Sequence, residues 1–237
     1  MARPNKLERF SDMEKFDHVF EPDKVALRTE DSSMKGHWKE KFFKSTNPIT
    51  LELGCGRGEY TVGLAERYPD RNFLGMDIKG ARMWKGATYA LNQGLTNVGF
   101  IRGQIEFISR IFEKGEIDEI WITFPDPQPK KAKKRLIHPS FINNYQKLLS
   151  ENGLIHLKTD SQLLHAYLKA ILEENDIDPE VVTSDLYKKQ EDSEAAALKT
   201  KYEGDFLAEG KPITYIRFRI NSEKSITEPR FDDTKWD

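Results

Sequence analysis

Short apolar runs and amphipathic stretches alternate along most of this chain. The apolar runs are rich in β-branched and aliphatic residues, which predicts strands at Ile49–Leu51, Asn72–Met76, Val98–Ile101, Ile117–Thr123, Gly153–Leu157, Glu180–Thr183 and Ile213–Ile220. Apolar residues at helical spacing between these runs predict helices at 60–68, 79–93, 141–149 and 162–173. Strands that alternate with helices indicate an α/β fold with a mostly parallel sheet.

The two ends of the chain are polar and weakly patterned. We therefore predict three parts, namely an N-terminal arm with a short helix at 1–46, a globular domain at 47–220 and a mobile C-terminal tail at 221–237. Phe231 and Trp236 of this tail could instead dock on the globular domain. Within the arm, the helix is expected near 34–44. Arg3, Lys6 and Arg9 suit RNA phosphates, and a frayed terminus explains them equally well. The segment 185–211 is polar and too long for a plain connection, so it is either functional or disordered.

The most informative stretch is Ile49–Gly58, which reads I-T-L-E-L-G-C-G-R-G. A strand that runs into closely spaced glycines and then into a helix exposes bare backbone, where a nucleotide-type ligand can approach. The spacing E-x-G-x-G-x-G differs from the dinucleotide fingerprint G-x-G-x-x-G, and Glu52 would repel a pyrophosphate and attract an ammonium or a sulfonium. The motif resembles motif I of class I S-adenosylmethionine-dependent methyltransferases. A glycine-rich turn in another α/β protein is the alternative at this point.

Further polar residues follow the later strands. Asp77 stands about twenty residues after the glycines, where Rossmann-like sites place an acid that accepts hydrogen bonds from both ribose hydroxyls. It also suits a helix N-cap. Gln104 falls where an adenine ring lies in this architecture, although a surface glutamine that opens a helix has the same pattern. Four acids therefore stand at strand ends, and we expect them to face one crevice. They are Glu52, Asp77, Asp126 and Asp160.

Alternate prolines and a run of cations follow the strand at Ile117–Thr123. The prolines of Phe124–Pro129, F-P-D-P-Q-P, prevent helix and ladder hydrogen bonds and predict a rigid loop. Asp126-Pro127 looks like the (Asp/Asn)-Pro-Pro-aromatic loop of amino-methylating enzymes. A basic run comes next, and beside a methyl-transfer site it suits RNA phosphates, although alone it usually means a solvated loop. Its members are Lys130, Lys131, Lys133, Lys134 and Arg135.

Composition limits how the protein can bind nucleic acid and in which compartment we expect it. The 237 residues carry a net charge of −2, so nucleic-acid binding has to rest on a local basic patch. The single cysteine, Cys55, and the absence of zinc-ligand spacing lead us to expect a reducing compartment and no metal. Since no apolar run reaches membrane-spanning length and no secretion signal is visible, we expect a cytoplasmic protein without membrane contact.

Four separated motifs resemble the bacterial tRNA (guanine-N7-)-methyltransferase family over about residues 35–220. They are Glu52–Gly58, Phe124–Lys131, Leu157–Asp160 and Thr200–Glu203. The resemblance implies a Rossmann-like class I methyltransferase fold, with a seven-stranded, mostly parallel sheet, helices on both faces and an antiparallel last strand. Gln104 stands where the family usually has an acid, Gln128 where it usually has tryptophan, and the basic loop is about two residues shorter than is common.

Carried over position by position, the resemblance implies a donor site and an acceptor site. The donor site would bind S-adenosylmethionine, with S-adenosylhomocysteine as product, through Glu52, Gly54, Gly56, Gly58, Asp77, Gln104 and Asp126. The acceptor site would bind the substrate through Lys130, Asp160, Thr200, Lys201, Tyr202 and Glu203. Asp126 would also be catalytic, by orienting the guanine base or the methionine end of the donor.

The predicted function is methyl transfer to N7 of guanine 46 in the variable loop of tRNA, by a monomer or a homodimer. Two other functions remain open. One is a class I methyltransferase that acts on a protein or small-molecule nitrogen, and only the tRNA function predicts loss of 7-methylguanosine from tRNA when the protein is missing. The other is a non-catalytic RNA-binding module with this fold, which would bind no methyl donor.

Overall fold

A computed structural model describes residues 4–189, 194–220 and 224–236. The chain forms two compact units, one ending at Ile117 and one beginning at Asp118. The strands of the first unit are β1 (Val19–Phe20), β2 (Ile49–Leu53), β3 (Asn72–Asp77) and β4 (Val98–Arg102). They are parallel and lie in the order β1-β4-β3-β2. Its helices are α1 (Lys6–Met13), α2 (Glu59–Arg67), α3 (Gly80–Gln93) and α4 (Ile108–Ile111), with 3-10 turns at Ala26–Arg28 and Ile105–Phe107 and a π-helical turn at Trp38–Phe43.

The strands of the second unit are β5 (Ile117–Thr123), β6 (Leu149–Thr159), β7 (Val181–Thr183) and β8 (Thr214–Arg219). They lie in the order β5-β6-β8-β7, and β8 is antiparallel to both of its neighbours. The helices are α5 (Pro139–Leu148), α6 (Gln162–Glu174), α7 (Leu186–Lys189), α8 (Glu194–Ala197) and α9 (Lys201–Ala208), with 3-10 turns at Ala132–Lys134 and Asp233–Trp236. No helix in the described parts of the chain is long and apolar enough to cross a membrane.

Local sequence explains why these elements begin and end where they do. All five residues of β2 are buried, as expected for a parallel strand with few polar positions and both faces covered. Helix α3 ends at Gly94, whose φ of 66° is the left-handed conformation that terminates helices. Pro139 opens α5, where its missing N–H costs nothing, and the Ser161 side chain caps α6 by accepting from the Leu164 amide.

The predicted α/β class and the antiparallel last strand are confirmed, but the strand count is not. Eight strands occur in the described residues instead of seven, and the additional one is β1, which pairs in parallel with β4. It was missed because its two residues, Val19 and Phe20, are too few to show alternation.

The predicted N-terminal arm is largely folded. Helix α1 has a capping box between Asn5 and Glu8, and the Trp84 indole of α3 donates to Asp12 at 3.0 Å. Instead of an α-helix at 34–44, the chain forms the shorter π-helical turn, in which Trp38 is fully buried and donates to the carbonyl of Ile111. Arg3, a candidate for RNA contact, lies outside the described residues.

The C-terminal segment is packed where a mobile tail was predicted. Ile226 is buried, and its backbone exchanges two hydrogen bonds with the Asn143 side chain. The Phe231 ring lies 5.2 Å from that of Tyr167 on α6, edge to face. Positions 221–223 and 237 of the predicted tail lie outside the described residues. Residues 224–236 therefore belong to the second unit.

Candidate functional site

The glycine turn after β2 has the backbone that the sequence predicts. Gly54, Gly56 and Gly58 all have positive φ, at 74°, 56° and 69°, which residues with a Cβ rarely adopt. A Cβ on Gly58 would lie 2.5 Å from the Phe100 ring, so glycine is also required there for packing. At Gly56, by contrast, an added Cβ meets only the Gly54 carbonyl, at 3.9 Å. The middle of the turn is therefore accessible to a ligand that approaches the backbone.

Glu52 and Asp77 both bond to this turn. The amide of Gly56 donates to Asp77 Oδ2 at 2.9 Å, while Asp77 Oδ1 accepts from the Lys79 amide at 2.7 Å. Glu52 is buried and accepts from the amide of Thr61 at 2.9 Å and from the Thr61 hydroxyl. Asp77 thus stands on the turn as predicted, whereas Glu52 fixes the turn to the first residues of α2. Direct contact of Glu52 with a donor stays a prediction.

Cys55 reports the electrostatics of the turn. Burial raises the pKa of its thiol well above the usual value, and the carboxylates of Glu52 and Asp77 raise it further. Both carboxylates are therefore close enough to Cys55 to influence its thiol. A thiol with a raised pKa is a poor nucleophile, so Cys55 fills space here.

A cavity of about 170 Å³ lies where β3 and β4 end, and three of the residues that line it are Ile78, Gln104 and Phe107. The N-terminal segment also lines it, through Glu21, Pro22, Lys24 and Leu27. Glu21 is held there by an ion pair with Arg102 at 2.8 Å, and Arg102 itself lies over the Phe10 ring. Gln104 lines this cavity, and its contact with an adenine ring stays a prediction. The N-terminal wall was missed because that stretch has no periodicity and no motif.

In the second unit, the proline loop after β5 is strained at both ends. Phe124 and Gln128 have φ of 47° and 46°, unusual values for residues other than glycine, asparagine and aspartate. Asp126 is exposed between them, and its Oδ1 accepts from the Gln128 amide at 3.2 Å. The amide of Phe124 donates to the carbonyl of Lys158 in β6 at 2.8 Å. The loop therefore presents a carboxylate from a fixed backbone.

The basic run divides into two groups. Lys130, Lys131, Lys133 and Lys134 are exposed and stay candidates for RNA phosphates. The predicted phosphate contact of Arg135 is wrong, because its side chain is fully buried. Its guanidinium donates to carbonyls of the proline loop, lies 2.9 Å from Asp233 and stacks 4.6 Å above the Tyr167 ring. Arg135 thus fastens the loop to the C-terminal segment.

Asp160 and the T-K-Y-E segment form the remaining candidates. Asp160 follows β6 and is half-buried, and this desolvation raises the pKa of its carboxyl. Thr200 caps α9, where its hydroxyl accepts from the Glu203 amide, while Lys201 and Tyr202 are exposed on the first turn. Glu203, predicted to contact the substrate, is instead fully buried, at 2.8 Å from the ammonium of Lys158. Its carboxylate faces the protein interior.

The chain is similar to known methyltransferases in sequence and in fold. A protein family described as "Putative methyltransferase" matches residues 46–216. The fold is similar to that of the 16S rRNA methyltransferase KamB, with a TM-score of 0.60 at 13% identity over 82% of this chain and 96% of that one. It is also similar to a SAM-dependent methyltransferase from Aquifex aeolicus, with a TM-score of 0.51 at 14% identity over 88% and 96%. At such identities the likeness concerns the fold alone.

Relatives at higher identity carry a more specific name. A tRNA (guanine-N(7)-)-methyltransferase of Bacteroides fragilis is 51% identical over 95% of this chain and 89% of its own length. Its counterpart in Christiangramia forsetii is 48% identical over 93% and 100%, and that of Listeria monocytogenes is 34% identical over 79% and 86%. The chain therefore belongs to the tRNA (guanine-N(7)-)-methyltransferase family.

Proposed function

We propose that this protein transfers the methyl group of S-adenosylmethionine to N7 of guanine 46 in the variable loop of tRNA. The observation that carries the proposal is the relationship over nearly the whole chain to proteins that bear the name tRNA (guanine-N(7)-)-methyltransferase, with 95% of this chain aligned at 51% identity. A tRNA substrate also favours a cytoplasmic location.

The residues of the first unit fit this donor. A carboxylate offers about four acceptor sites, so Asp77 can accept from ribose hydroxyls while it holds the Gly56 and Lys79 amides. Gln104 would accept from the exocyclic amine of adenine, whose ring suits the cavity between Ile78 and Phe107. When bound, S-adenosylmethionine supplies an electrophilic methyl group on a sulfonium.

The residues of the second unit would bind and orient the base. Guanine N7 carries an in-plane lone pair and no proton, so no general base is needed, and the protein contributes alignment and exclusion of water. Asp126 would accept from N1–H and the 2-amino group, or hold the methionine end of the donor. Asp160 and Thr200 would complete the pocket, because a hydroxyl that accepts at a helix cap can still donate.

The tRNA would be held mainly through its phosphates. Lys130, Lys131, Lys133 and Lys134 supply exposed positive charge directly after the Asp126 loop. Lys201 and Tyr202 would contact the nucleotide from α9, the lysine at phosphate and the tyrosine by stacking. A base inside a folded tRNA has to be extruded before its N7 can reach a protein pocket.

The test uses two unmodified tRNA transcripts that differ only at position 46, one with guanine and one with adenine. With labelled donor, we expect 7-methylguanosine in the first and background labelling in the second, mapped by mass spectrometry. Equal labelling of both transcripts would exclude guanine 46. Labelling of a protein or small molecule instead would favour the first alternative, and failure to bind the donor in calorimetry would favour a non-catalytic RNA-binding module.

A further inference from the structure

Lys158 is a buried charge that none of the proposed steps uses. It lies in β6, two residues before Asp160, and its side chain is fully buried. The ammonium donates to the carbonyls of Ala195 at 2.6 Å and Leu198 at 2.8 Å, and it lies 2.8 Å from Glu203 Oε1. Three acceptors thus surround a group with three N–H bonds. Burial lowers the pKa of Lys158, and the Glu203 carboxylate opposes that effect.

The partners of Lys158 connect it to helices α7, α8 and α9. Glu203 also accepts from the Tyr187 hydroxyl at 2.5 Å and from the Thr200 amide at 3.2 Å. Tyr187 belongs to α7, Ala195 to α8, and both Thr200 and Glu203 to the first turn of α9 with its cap. One ammonium therefore joins three short helices, none of which is long enough to be stable alone.

The backbone of the same residue holds the proline loop. The Lys158 carbonyl accepts from the Phe124 amide at 2.8 Å, at the start of the segment that carries Asp126. The Phe124 ring lies 5.9 Å from that of Phe206 on α9. The loop and α9 are therefore fixed to a single position of β6, next to Asp160.

We propose that Lys158 is a positioning residue for the methyl acceptor. Its ammonium and the Glu203 carboxylate hold Thr200–Tyr202 in place relative to the Asp126 loop without touching the substrate. The inference rests on the proposed function, because it assigns Glu203 to the support of the acceptor pocket instead of to the guanine itself. Such support matters because small displacements of binding groups cost large factors in rate.

Two variants test the role. In Lys158→Met/Glu203→Met both charges are replaced together, so no charge is left stranded in the interior and the protein should stay folded. Glu203→Gln is a milder change that keeps the size of the side chain. We expect kcat/KM for tRNA to fall by about 100-fold in the double variant and about 10-fold in Glu203→Gln. Donor affinity, measured by calorimetry, should fall much less than kcat/KM, because Glu52, Asp77 and Gln104 of the first unit are untouched and Asp126 is the one proposed donor residue on the affected loop.

A purely structural role would lower the unfolding temperature and leave kcat and KM of the folded protein unchanged, which would overturn the proposal. Lys147→Met, on the exposed side of α5, is the control and should behave as wild type. Amide hydrogen exchange gives a separate readout, since α9 and residues 124–129 should exchange faster in both variants. If the wild-type protein methylates no tRNA, the proposed function fails, and unchanged exchange in both variants would independently reject the positioning role.

Discussion

Single residues decide whether the glycine turn after β2 can form, and Gly58 shows this most directly. Gly58 and Gly210 share a left-handed backbone, at φ of 69° and 75°, but an added Cβ meets the Phe100 ring at 2.5 Å in the first case and nothing within 4 Å in the second. Gly210→Ala should therefore cost about 1 kcal/mol from backbone strain alone. Gly58→Ala should cost about 3 kcal/mol, because a close contact in the core is added.

Denaturant unfolding and donor titration check this pair of glycines. Gly58→Ala should also weaken donor binding at least about tenfold, since the turn has to shift to relieve the contact. Gly210→Ala should leave donor affinity at the wild-type value. Equal stability losses in the two variants would mean that packing against Phe100 contributes nothing.

At Asp126 the charge of the side chain can be removed without disturbing the structure of the loop. Its Oδ1 accepts from the amide of Gln128, which stands at a φ of 46°, and an asparagine at this position keeps that hydrogen bond. Asp126→Asn should therefore preserve the strained loop and the unfolding midpoint. We expect turnover on tRNA to fall by about 100-fold or more, because the charge that orients the base or the donor is lost. Asp178→Asn, an exposed position before β7, is the matched control, and near-wild-type turnover of Asp126→Asn would refute the role.

Among the elements, the C-terminal segment contributes most unexpectedly to the second unit. Asp233 lies 2.9 Å from the buried guanidinium of Arg135, whereas the contacts of its neighbour Asp232, with Thr234 and Lys235, are on the surface. Asp233→Ala should lower the free energy of unfolding by about 2 kcal/mol, a value reduced for the partial exposure of that carboxylate, because it strands a buried charge. Asp232→Ala should leave the free energy of unfolding close to the wild-type value, because only exposed contacts are lost.

Chemical denaturation of the two aspartate variants provides the measurement. The same guanidinium donates to the carbonyls of Pro127 and Gln128, so Asp233→Ala should also reduce turnover by loosening the Asp126 loop. Equal stability in the two variants would show that the ion pair between Asp233 and Arg135 contributes nothing to folding. Wild-type turnover of Asp233→Ala would show that the pair does not support the Asp126 loop.

Elements with a strong local pattern were predictable from the sequence. The strand predicted at Ile117–Thr123 has the same bounds in the structure, since an apolar run there ends at a proline loop. The glycine turn was predictable for the same reason, because each glycine has a local steric requirement. Sequence also located Asp77 and Asp126 at strand ends, and these positions carry the proposed chemistry.

Features that depend on distant pairs were not predictable. Arg135 resembles its four lysine neighbours in sequence, and it is buried by contacts with the proline loop, with Tyr167 and with Asp233, the last almost a hundred residues away. Glu203 looks like a capping-box residue that is free to bind a ligand, while its pairing with Lys158 depends on how α9 packs. Local composition carries no information about such partners, so charged residues in candidate sites are the ones most easily misassigned.

At the scale of the whole molecule, a net charge of −2 gives no general attraction for RNA. Salt dependence of tRNA binding should therefore come from the exposed lysines after the Asp126 loop. Lys133→Ala should make the plot of log K against log salt less steep by about 1, because one phosphate contact is lost. Its stability should be unchanged. Lys147→Ala on α5 is the control and should retain the wild-type slope, as measured by filter binding from low to moderate salt. An unchanged slope in Lys133→Ala would exclude a phosphate contact.

The acid side of the stability profile should depend on His165, a buried residue of α6 that is only 8% exposed. Burial, with the positive charge of Lys169 one turn further on, lowers its pKa from 6.5 to about 4. Between these pH values the unfolded chain binds a proton that the folded protein does not, so stability is present above pH 6.5 and is lost as the pH falls toward 4. The full loss amounts to at most about 3 kcal/mol.

His165→Leu should remove this contribution without leaving a polar group unsatisfied, because His165 Nδ1 has no hydrogen-bond partner within the described part of the chain. Other groups also titrate in this range, so the informative quantity is the difference in unfolding free energy between His165→Leu and wild type. It should be constant above pH 7 and should grow in favour of the variant as the pH falls to 4. A flat difference between His165→Leu and wild type would mean that the folded protein accepts the proton at the ordinary pH.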